Sequence, residues 1–156
     1  MKRKITVFIL CLLAINVFAE RYVIIDKAGF CLSVVEDKDT LFQCPVALGK
    51  NYGNKERFGD MKTPEGTFTV CSIEKSSHWT HDFKDGKGVR KGAYGPYFFR
   101  LKMPRFRSIG IHGTCKPETI GTRDSEGCVR LYNEDLQKLR EMVFVGMKVL
   151  VTEDAE

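Results

Sequence analysis

Short runs of alternating apolar and polar residues follow the first nineteen residues of the chain and predict β-strands. The β-branched run at 22–25 predicts the first strand. Residues 31–36 and 40–48 flank a polar turn at 37–39, and this spacing predicts a β-hairpin. The alternation inside the hairpin is only partial, so the sequence leaves its register open. Pro45 places the second arm at an edge or a bulge.

Turn residues and apolar runs continue to alternate further along the chain. A polar, glycine-bearing segment at 49–59 predicts a loop, and the turn at 64–66 precedes a strand at 67–70. Residues 74–92 are polar and predict a long irregular loop, of the kind that covers binding sites. The remaining apolar runs predict strands at 94–101, 108–112 and 147–152.

One helix is predicted near the C-terminus. Asn133 is a suitable N-cap, and the acidic pair at 134–135 suits the first turn of a helix. Apolar residues then recur at helical spacing, namely Leu136, Leu139, Met142 and Val143. Many strands and one helix predict a mostly-β domain, built as a β-sandwich or a partly open barrel with one or two short helices.

The first nineteen residues have the composition of a secretory signal peptide. Basic residues at 2–4 precede an apolar core at 5–17 that is short for a membrane span, and 17–19 fits a cleavage site. An uncleaved anchor is the alternative. We expect 1–19 to be removed and 20–156 to form one domain without a further transmembrane span, exported to the periplasm or cell envelope.

The positive charge of the chain belongs largely to this leader. The formal net charge is +5, and the leader contributes three basic residues and no acidic ones, so removing it leaves +2. A domain with so small a charge lacks the electrostatic footprint of a nucleic-acid-binding protein. We therefore expect no nucleic-acid partner.

Five cysteines follow the leader, and an odd number in an exported protein predicts a free thiol. Cys31 and Cys44 lie nearly equidistant from the predicted hairpin turn. Pairing in that register would bring their Cα atoms to about 4.5 Å, at the short end of disulfide geometry. We expect this bridge, with five reduced cysteines as the alternative, because a one-residue slip would point the two side chains to opposite faces.

Metal binding is a competing interpretation of the cysteines and histidines. Cys71 precedes His78 and His81, but no Cys-x-x-Cys pair occurs and one His-x-x-His is a weak zinc signal. We interpret both histidines as solvated loop residues. A zinc site formed by His112, Cys115 and Cys128 is a further alternative, although it would not explain the glycine before Cys128. We predict no metal and no other cofactor.

His112 and Cys128 are the candidate base and nucleophile. A thiol reacts as thiolate, and a neighbouring imidazole is the usual means of generating one near neutral pH. Cys128 follows His112 by sixteen positions, a spacing that places the two groups on separate elements that a compact fold can bring together. Gly127 allows a reacting carbonyl to approach the cysteine. A buried, inert cysteine is the alternative, and a strand histidine is otherwise often a hydrogen-bonded core residue.

Three segments around these residues resemble the catalytic signature of the L,D-transpeptidase (YkuD-type) family. They are IHGT at 111–114, KPETIG at 116–121 and SEGCVRL at 125–131. The two short motifs, their separation and the intervening proline and glycine all agree with the signature. The segment at 62–70 also resembles the family's Thr-Pro-x-Gly-x-[Phe/Tyr] element, so the similarity extends over nearly all of 20–156.

The resemblance implies a role for each residue of the motif. Cys128 is expected to be the nucleophile, and His112 to hold the thiolate as an ion pair and later protonate the leaving amine. The carbonyl of Gly113 is expected to orient His112. The backbone amides of Gly127 and Cys128 are expected to stabilise the oxyanion. Ser125 is expected to bond the catalytic loop or the substrate, or to be only a turn-capping serine.

Two further residues are candidates for substrate binding. Arg130 carries a guanidinium that suits a substrate carboxylate, with a solvated surface position as the alternative. Tyr94 is expected to line the groove, as is Trp79, although aromatic residues in such positions often simply pack.

Glu126 and Cys115 depart from the pattern of the family. Relatives often carry His, Arg or Lys at the position of Glu126, and a carboxylate facing Cys128 would oppose the thiolate. Cys115 stands where Asn would be more ordinary. It is expected to be a spectator, a disulfide partner or a redox modulator of Cys128.

The function implied is an exported peptidoglycan L,D-transpeptidase that serves cell-wall biogenesis and cell shape. Its partners would be peptidoglycan stem peptides, and a carbapenem is expected to acylate Cys128. If water resolves the thioester, the site is instead an L,D-carboxypeptidase or a hydrolase of the same bonds. A non-catalytic cell-wall-binding module on the same fold is the other alternative, but it has no need of a thiol beside a base.

Overall fold

Twelve strands, one α-helix and one 3-10 helix make up residues 20–154, the part of the chain that the computed structural model describes. The helices are α1 (Asn133–Arg140) and a 3-10 turn at Pro117–Thr119, and neither is long and apolar enough to cross a membrane. The predicted signal peptide, 1–19, lies outside the described residues. The strands are β1 (Arg21–Asp26), β2 (Cys31–Glu36), β3 (Asp39–Pro45), β4 (Leu48–Gly49), β5 (Gly66–Lys75), β6 (Thr80–Asp82), β7 (Val89–Lys91), β8 (Tyr97–Leu101), β9 (Gly110–His112), β10 (Arg123–Ser125), β11 (Val129–Arg130) and β12 (Lys148–Val151).

Eight of these strands form one sheet that curls into a half-barrel, in the order β11-β9-β8-β5-β12-β1-β2-β3. Most neighbours are antiparallel, whereas β1 pairs with β12 and β11 with β9 in parallel. Two small sheets, β4 with β10 and β6 with β7, accompany it. The predicted mostly-β fold is therefore confirmed, and it is the partly open barrel of the two predicted forms.

The core forms where the apolar side chains of the sheet meet α1. Val23 and Ile25 in β1 are fully buried while their strand neighbours are partly exposed, as the period-two alternation of a strand requires. Val149 of β12 belongs to the same cluster, and Leu136 and Leu139 of α1 join it. Burial of these side chains holds the helix against the sheet.

The hairpin of β2 and β3 forms as predicted, but the predicted Cys31–Cys44 bridge is wrong. Val35 pairs with Thr40 and Val34 with Phe42, so Leu41 is an extra residue that bulges out of the ladder. The bulge shifts the register by one residue. Cys44 therefore lies opposite Leu32 and is buried, and Cys31 lies opposite Pro45. All five cysteines in the described part of the chain are free.

The helix begins one residue earlier than predicted. Asn133 is its first residue, and Tyr132 takes the cap position without a side-chain cap bond. The side chain of Asn133 instead binds the backbone of Thr114: Oδ1 accepts from the amide at 2.9 Å and Nδ2 donates to the carbonyl at 3.0 Å. A tertiary contact thus replaces the predicted cap. The helix ends before Met142 and Val143, which lie in the turn that follows.

The polar stretch at 74–92 is more ordered than predicted. β5 extends into it, and β6 and β7 form a hairpin in which Thr80 pairs with Lys91 and His81 with Arg90. These two short strands carry no apolar alternation, so the pattern of the sequence does not reveal them. The hairpin brings His81 to the cleft described below.

Candidate active site

The edge of the sheet brings together two segments that lie sixteen residues apart in the chain. β11 runs parallel to β9, with Val129 opposite Ile111. In the next pair Arg130 lies opposite His112. Because side chains alternate along a strand, Ile111 and Val129 enter the core, while His112 and Arg130 face the other side and line one cleft with Cys128. The register of this one pair of strands therefore assembles the predicted site.

The cleft has a volume of about 250 Å³. Its walls come from the 55–61 loop, from the β6 hairpin, from the segment before β8 and from the edge of the sheet. The lining residues are Lys55, Phe58, Gly59, Met61, His81, Phe83, Ala93, Tyr94, Ser108, Ile109, His112, Ser125, Glu126, Cys128 and Arg130. The set includes all the predicted site residues except the two glycines, Gly113 and Gly127, and it leaves out Trp79.

His112 is buried and held as one neutral tautomer. Its Nδ1 lies 2.6 Å from the carbonyl oxygen of Gly113, the contact that the resemblance implied. A carbonyl only accepts, so Nδ1 carries the proton and Nε2 keeps its lone pair. The ring stacks on Phe98 and lies beside Tyr94, with centroids 5.3 and 4.9 Å away. Burial lowers the pKa of His112 to about 3, although the Gly113 carbonyl opposes this change.

Cys128 is a partly exposed thiol in its neutral form. The sulfur donates to the Ser108 carbonyl at 3.4 Å and accepts a hydrogen bond from the Gly110 amide. Burial raises the pKa of the thiol, and the Gly110 amide partly offsets this. Within 20–154 no hydrogen bond joins the sulfur directly to His112. The directions of these two pKa changes favour a neutral thiol and a neutral imidazole over the ion pair expected from the sequence.

Ser125 fixes the turn that presents Cys128. Its Oγ accepts from the Gly127 amide at 3.0 Å and donates to the Cys128 carbonyl at 2.5 Å. Gly127 has φ of +129°, and a Cβ there would lie 2.7 Å from the Lys62 carbonyl, so only glycine fits. The Gly127 amide, predicted as an oxyanion donor, is thus already bonded. The Cys128 amide, the second predicted oxyanion donor, takes no part in these two hydrogen bonds of Ser125.

Arg130 is buried, so the alternative of a solvated surface position is wrong. Its exposed fraction is 3%, and it donates to the Asp124 carboxylate at 2.7 Å and to the Asp124 carbonyl at 3.3 Å. The guanidinium also lies 5.3 Å from the ring centroid of Phe83. A carboxylate of the protein itself therefore orients Arg130 at the cleft.

Tyr94, His81 and Glu126 form a hydrogen-bonded chain on the facing side. The Tyr94 hydroxyl lies 3.2 Å from Nδ1 of His81, and Nε2 of His81 lies 3.3 Å from the Glu126 carboxylate. His81 is therefore not the solvated loop residue that the sequence analysis predicted. Trp79 packs against Tyr94 and Phe98, with ring centroids 5.7 and 5.5 Å away, and supports this side from behind.

The cleft thus has two walls of different character. We call Lys55, His112 and Arg130 the inner wall, because their exposed fractions are 9%, 3% and 3%. We call His81, Tyr94 and Glu126 the outer wall, in which the side chain of Glu126 is about half exposed. Sequence reasoning placed His112 and Arg130 but missed Lys55, which lies in a loop without periodic pattern.

Asn133 is a second residue whose role the sequence misassigned. Besides holding Thr114, its Oδ1 would lie 2.1 Å from a Cβ on Gly113 and 2.3 Å from one on Gly95. The two glycines therefore allow the close contact by which Asn133 holds the strand end that carries His112. An asparagine at a helix start is an ordinary cap in sequence terms, so no local signal distinguishes this use.

The zinc alternative for the cysteines and histidines can be compared with the positions of these side chains. Across 20–154 no group of three or more His, Cys, Asp or Glu side chains is placed to hold a metal ion. His112, Cys115 and Cys128 therefore do not form the zinc site considered above. Cys115 is a partly buried free thiol and is not bonded to Cys128.

Comparisons with known proteins point to one family. The YkuD model, described as the L,D-transpeptidase catalytic domain, matches residues 20–151. The putative L,D-transpeptidase YqjB of Bacillus subtilis (strain 168) is 32% identical over 135 residues, which are 85% of this chain and 72% of the relative.

Two solved structures share the fold. The L,D-transpeptidase from Mycobacterium smegmatis superposes with a TM-score of 0.64 at 23% identity, over 86% of this chain and 59% of that chain. L,D-transpeptidase 3 from Mycobacterium tuberculosis in complex with a faropenem-derived adduct gives a TM-score of 0.63 at 20% identity, over 86% and 61%. This chain therefore spans about three fifths of the length of either structure. With a family model that matches almost all of the described residues, the chain belongs to the YkuD family of L,D-transpeptidase catalytic domains.

Proposed function

We propose that this protein is an exported cysteine acyltransferase that acts on the tetrapeptide stems of peptidoglycan. The observation that carries the proposal is the joint position of the Cys128 thiol and the neutral His112 in one cleft, with the Nε2 lone pair of His112 unprotonated. A thiol and a base that share a cleft are the minimum needed for acyl transfer through a thioester.

In the first half-reaction Cys128 attacks the carbonyl at the L-centre of the diamino acid. The thiol proton passes to Nε2 of His112, and a sulfur–carbon bond forms. The carbon–nitrogen bond to the terminal D-alanine then breaks, and the same proton goes to the leaving amine. Burial favours the neutral form of His112, and the Gly113 carbonyl holds the proton on Nδ1, so Nε2 is free to accept the thiol proton.

In the second half-reaction an amine of another stem attacks the thioester, and the thiol is restored as the new amide forms. The Cys128 amide is the backbone donor proposed for the oxyanion in both steps. Arg130 and Tyr94 line the same cleft and are proposed to contact the stem peptide. Asp124 already orients the guanidinium of Arg130, which reduces the cost of ordering it on binding.

Export is part of the same proposal. The basic, apolar and small-residue segments of 1–19 support a signal peptide, and the proposed substrate lies outside the cytoplasmic membrane. A carbapenem is proposed to acylate Cys128. The faropenem-derived adduct of L,D-transpeptidase 3 from Mycobacterium tuberculosis supports this for β-lactam-like reagents in general.

The direct test is incubation of the purified protein with disaccharide-tetrapeptide muropeptides, followed by mass analysis of the products. We expect a cross-linked dimer and released D-alanine. A tripeptide product alone would mean that water is the acceptor, and the protein would then be an L,D-carboxypeptidase. A parallel incubation with a cross-linked muropeptide dimer tests the hydrolase, which would cleave the cross-link.

Two variants and one covalent inhibitor test whether Cys128 is the nucleophile. Cys128→Ala and Cys128→Ser are expected to abolish turnover and to keep the fold, because each removes only the thiol. A carbapenem should add one adduct to the intact mass, mapped to Cys128 in the digest. Unchanged turnover in Cys128→Ala, or an adduct on Cys115 alone, would refute the assignment of the nucleophile. Retained muropeptide binding without any product from the unsubstituted protein would favour a cell-wall-binding module.

A further inference from the structure

Lys55 is a buried lysine in the wall of the cleft, and no step of the mechanism above uses it. Its side chain is 3% exposed, and Nζ donates to the Asp60 carboxylate at 2.7 Å. The ring centroid of Phe106 lies 5.3 Å from the same nitrogen. An ammonium group is rarely buried without a partner, because the loss of its hydration is costly. The position of Lys55 is therefore determined by its contacts and not by solvation.

The partner of Lys55 is itself held in place by the backbone. The carboxylate of Asp60 accepts from the amides of Glu56, Arg57 and Lys62 at 2.8, 3.0 and 3.1 Å. These amides already compensate much of its negative charge. Asp60 therefore orients Lys55 without fully neutralising it, and the ammonium remains a source of positive potential in the cleft wall.

The ammonium lies next to the turn that carries the nucleophile. A Cβ built on Gly127 would be 3.5 Å from Nζ of Lys55, so the ammonium packs close to the residue before Cys128. Both Lys55 and Cys128 line the same cleft. The positive charge of Lys55 therefore favours an anion on the sulfur and lowers the pKa of the Cys128 thiol.

We propose that Lys55 is a further electrostatic residue of this active site, whose ammonium stabilises the negative charge that develops on Cys128. The thiol loses its proton, to His112 during acyl transfer or to solvent during alkylation, and the sulfur keeps the electron pair. Lys55 forms no covalent bond and transfers no proton. The proposal rests on the proposed function only in taking Cys128 as the reacting group.

Several other charged and titratable groups lie around the sulfur of Cys128. Arg130 on β11 also lowers the pKa of the Cys128 thiol, and Glu126 on the adjoining turn raises it. His112 is neutral, and burial raises the pKa of Tyr94, which keeps the phenol neutral as well. Arg130 is bonded to Asp124 at the edge of the sheet, so replacing it also disturbs the strand pair. Lys55 lies outside the sheet and is the cleaner of the two cations to test.

The test measures alkylation of Cys128 by iodoacetamide as a function of pH, in which a sulfur–carbon bond forms and iodide leaves. Peptide mass mapping separates Cys128 from the other thiols. The variant is Lys55→Gln, which keeps a donor for Asp60 but removes the charge. We expect its alkylation rate at pH 7 to fall about fivefold and its pH profile to shift to higher pH. Lys55→Arg should restore most of the rate.

Lys62→Gln is the matched control. Lys62 lies on the same loop, its side chain is 26% exposed against 3% for Lys55, and it pairs with the exposed Glu56 at 3.7 Å, so water screens its charge more. We expect its profile to match that of the unsubstituted protein. An unchanged pH profile in a folded Lys55→Gln variant would overturn the proposal. So would a decrease in the alkylation rate of Lys62→Gln as large as that of Lys55→Gln. If Lys55→Gln does not fold, Lys55→Arg with a slowed rate would overturn it instead. Because alkylation needs no peptidoglycan, a failure of the proposed function leaves this result interpretable.

Discussion

The two walls of the cleft surround the same sulfur but are stabilised in different ways. On the inner wall, Lys55, His112 and Arg130 are buried, and each has a partner at 2.6–2.7 Å. On the outer wall, hydrogen bonds of 3.2 and 3.3 Å join side chains that remain open to water. Water screens charges on the outer wall far more than on the inner wall. The inner wall should therefore set the ionisation of the site and much of the local stability, and the outer wall should make smaller adjustments.

The largest expected effect is the loss of stability when Asp60, the partner of Lys55 on the inner wall, is replaced. Asp60→Asn removes the charge that compensates Lys55, and it weakens the acceptor of three backbone amides. Breaking a buried ion pair leaves one charge without compensation, so we expect the free energy of unfolding to fall by about 4 kcal/mol. Urea denaturation measures this. Asp82→Asn, in β6 next to His81 of the outer wall, is the matched control. Its carboxylate bonds to the exposed Lys84, so the midpoint should change little. Equal losses in the two variants would remove the distinction between the walls.

The next effect is the pH dependence of stability. The unfolded chain protonates His112 near pH 6.5, whereas the folded chain does so only at about 3, since burial penalises the imidazolium. The unfolded state thus binds an extra proton between these values, and stability falls as the pH decreases. Between pH 7 and pH 4, protonation of His112 in the unfolded chain should lower the free energy of unfolding by about 3 kcal/mol.

Paired histidine variants isolate this contribution from that of the carboxylates. In His112→Asn, the decrease in the free energy of unfolding between pH 7 and pH 4 should be about 3 kcal/mol smaller than in the unsubstituted protein. His81→Asn, on the outer wall, should retain the full loss. Parallel pH titrations of unfolding in the three proteins decide the matter, and the same slope in all of them would contradict the burial argument.

A smaller effect is expected from Tyr94→Phe. The variant keeps the ring beside His112 and removes only the hydroxyl that contacts His81. One such hydrogen bond contributes about 1 kcal/mol, so we expect the rate of Cys128 acylation to fall roughly fivefold. Tyr97→Phe in β8 is the matched control, because Tyr97 does not line the cleft. A loss of more than a hundredfold would instead make the Tyr94 hydroxyl a participant in the chemistry.

The smallest effect, and the opposite in sign to that of Lys55, is expected from Glu126→Gln. The carboxylate raises the pKa of the Cys128 thiol, so its removal should lower that pKa and speed alkylation at pH 7 by about twofold. Added salt should reduce the difference, since Glu126 is half exposed. Glu118→Gln, on the 3-10 turn, serves as the control. Slower alkylation in Glu126→Gln would mean that the outer wall does not oppose the thiolate.

The sequence by itself determined the strand content and the chemistry of the two central residues. The alternation in β1 and β12 and the polar turn between β2 and β3 are local, because a strand repeats every two residues and a turn needs its own backbone conformations. His112 and Cys128 were identifiable because their reactivity depends on residue type and on a short motif. The predicted signal peptide and the catalytic roles stay predictions.

Only the tertiary structure decided the register and the surroundings of these residues. The bulge at Leu41 cancels the expected disulfide, and Asn133 binds Thr114 instead of capping its own helix. Lys55 reaches the cleft from a loop and His81 from the short strand β6, and neither segment has an apolar pattern. Each of these outcomes depends on which distant segments the sheet places side by side. The burial that this arrangement imposes also disfavours the charged forms of the thiol and the imidazole, because desolvation acts on a charge only once the chain around it has packed.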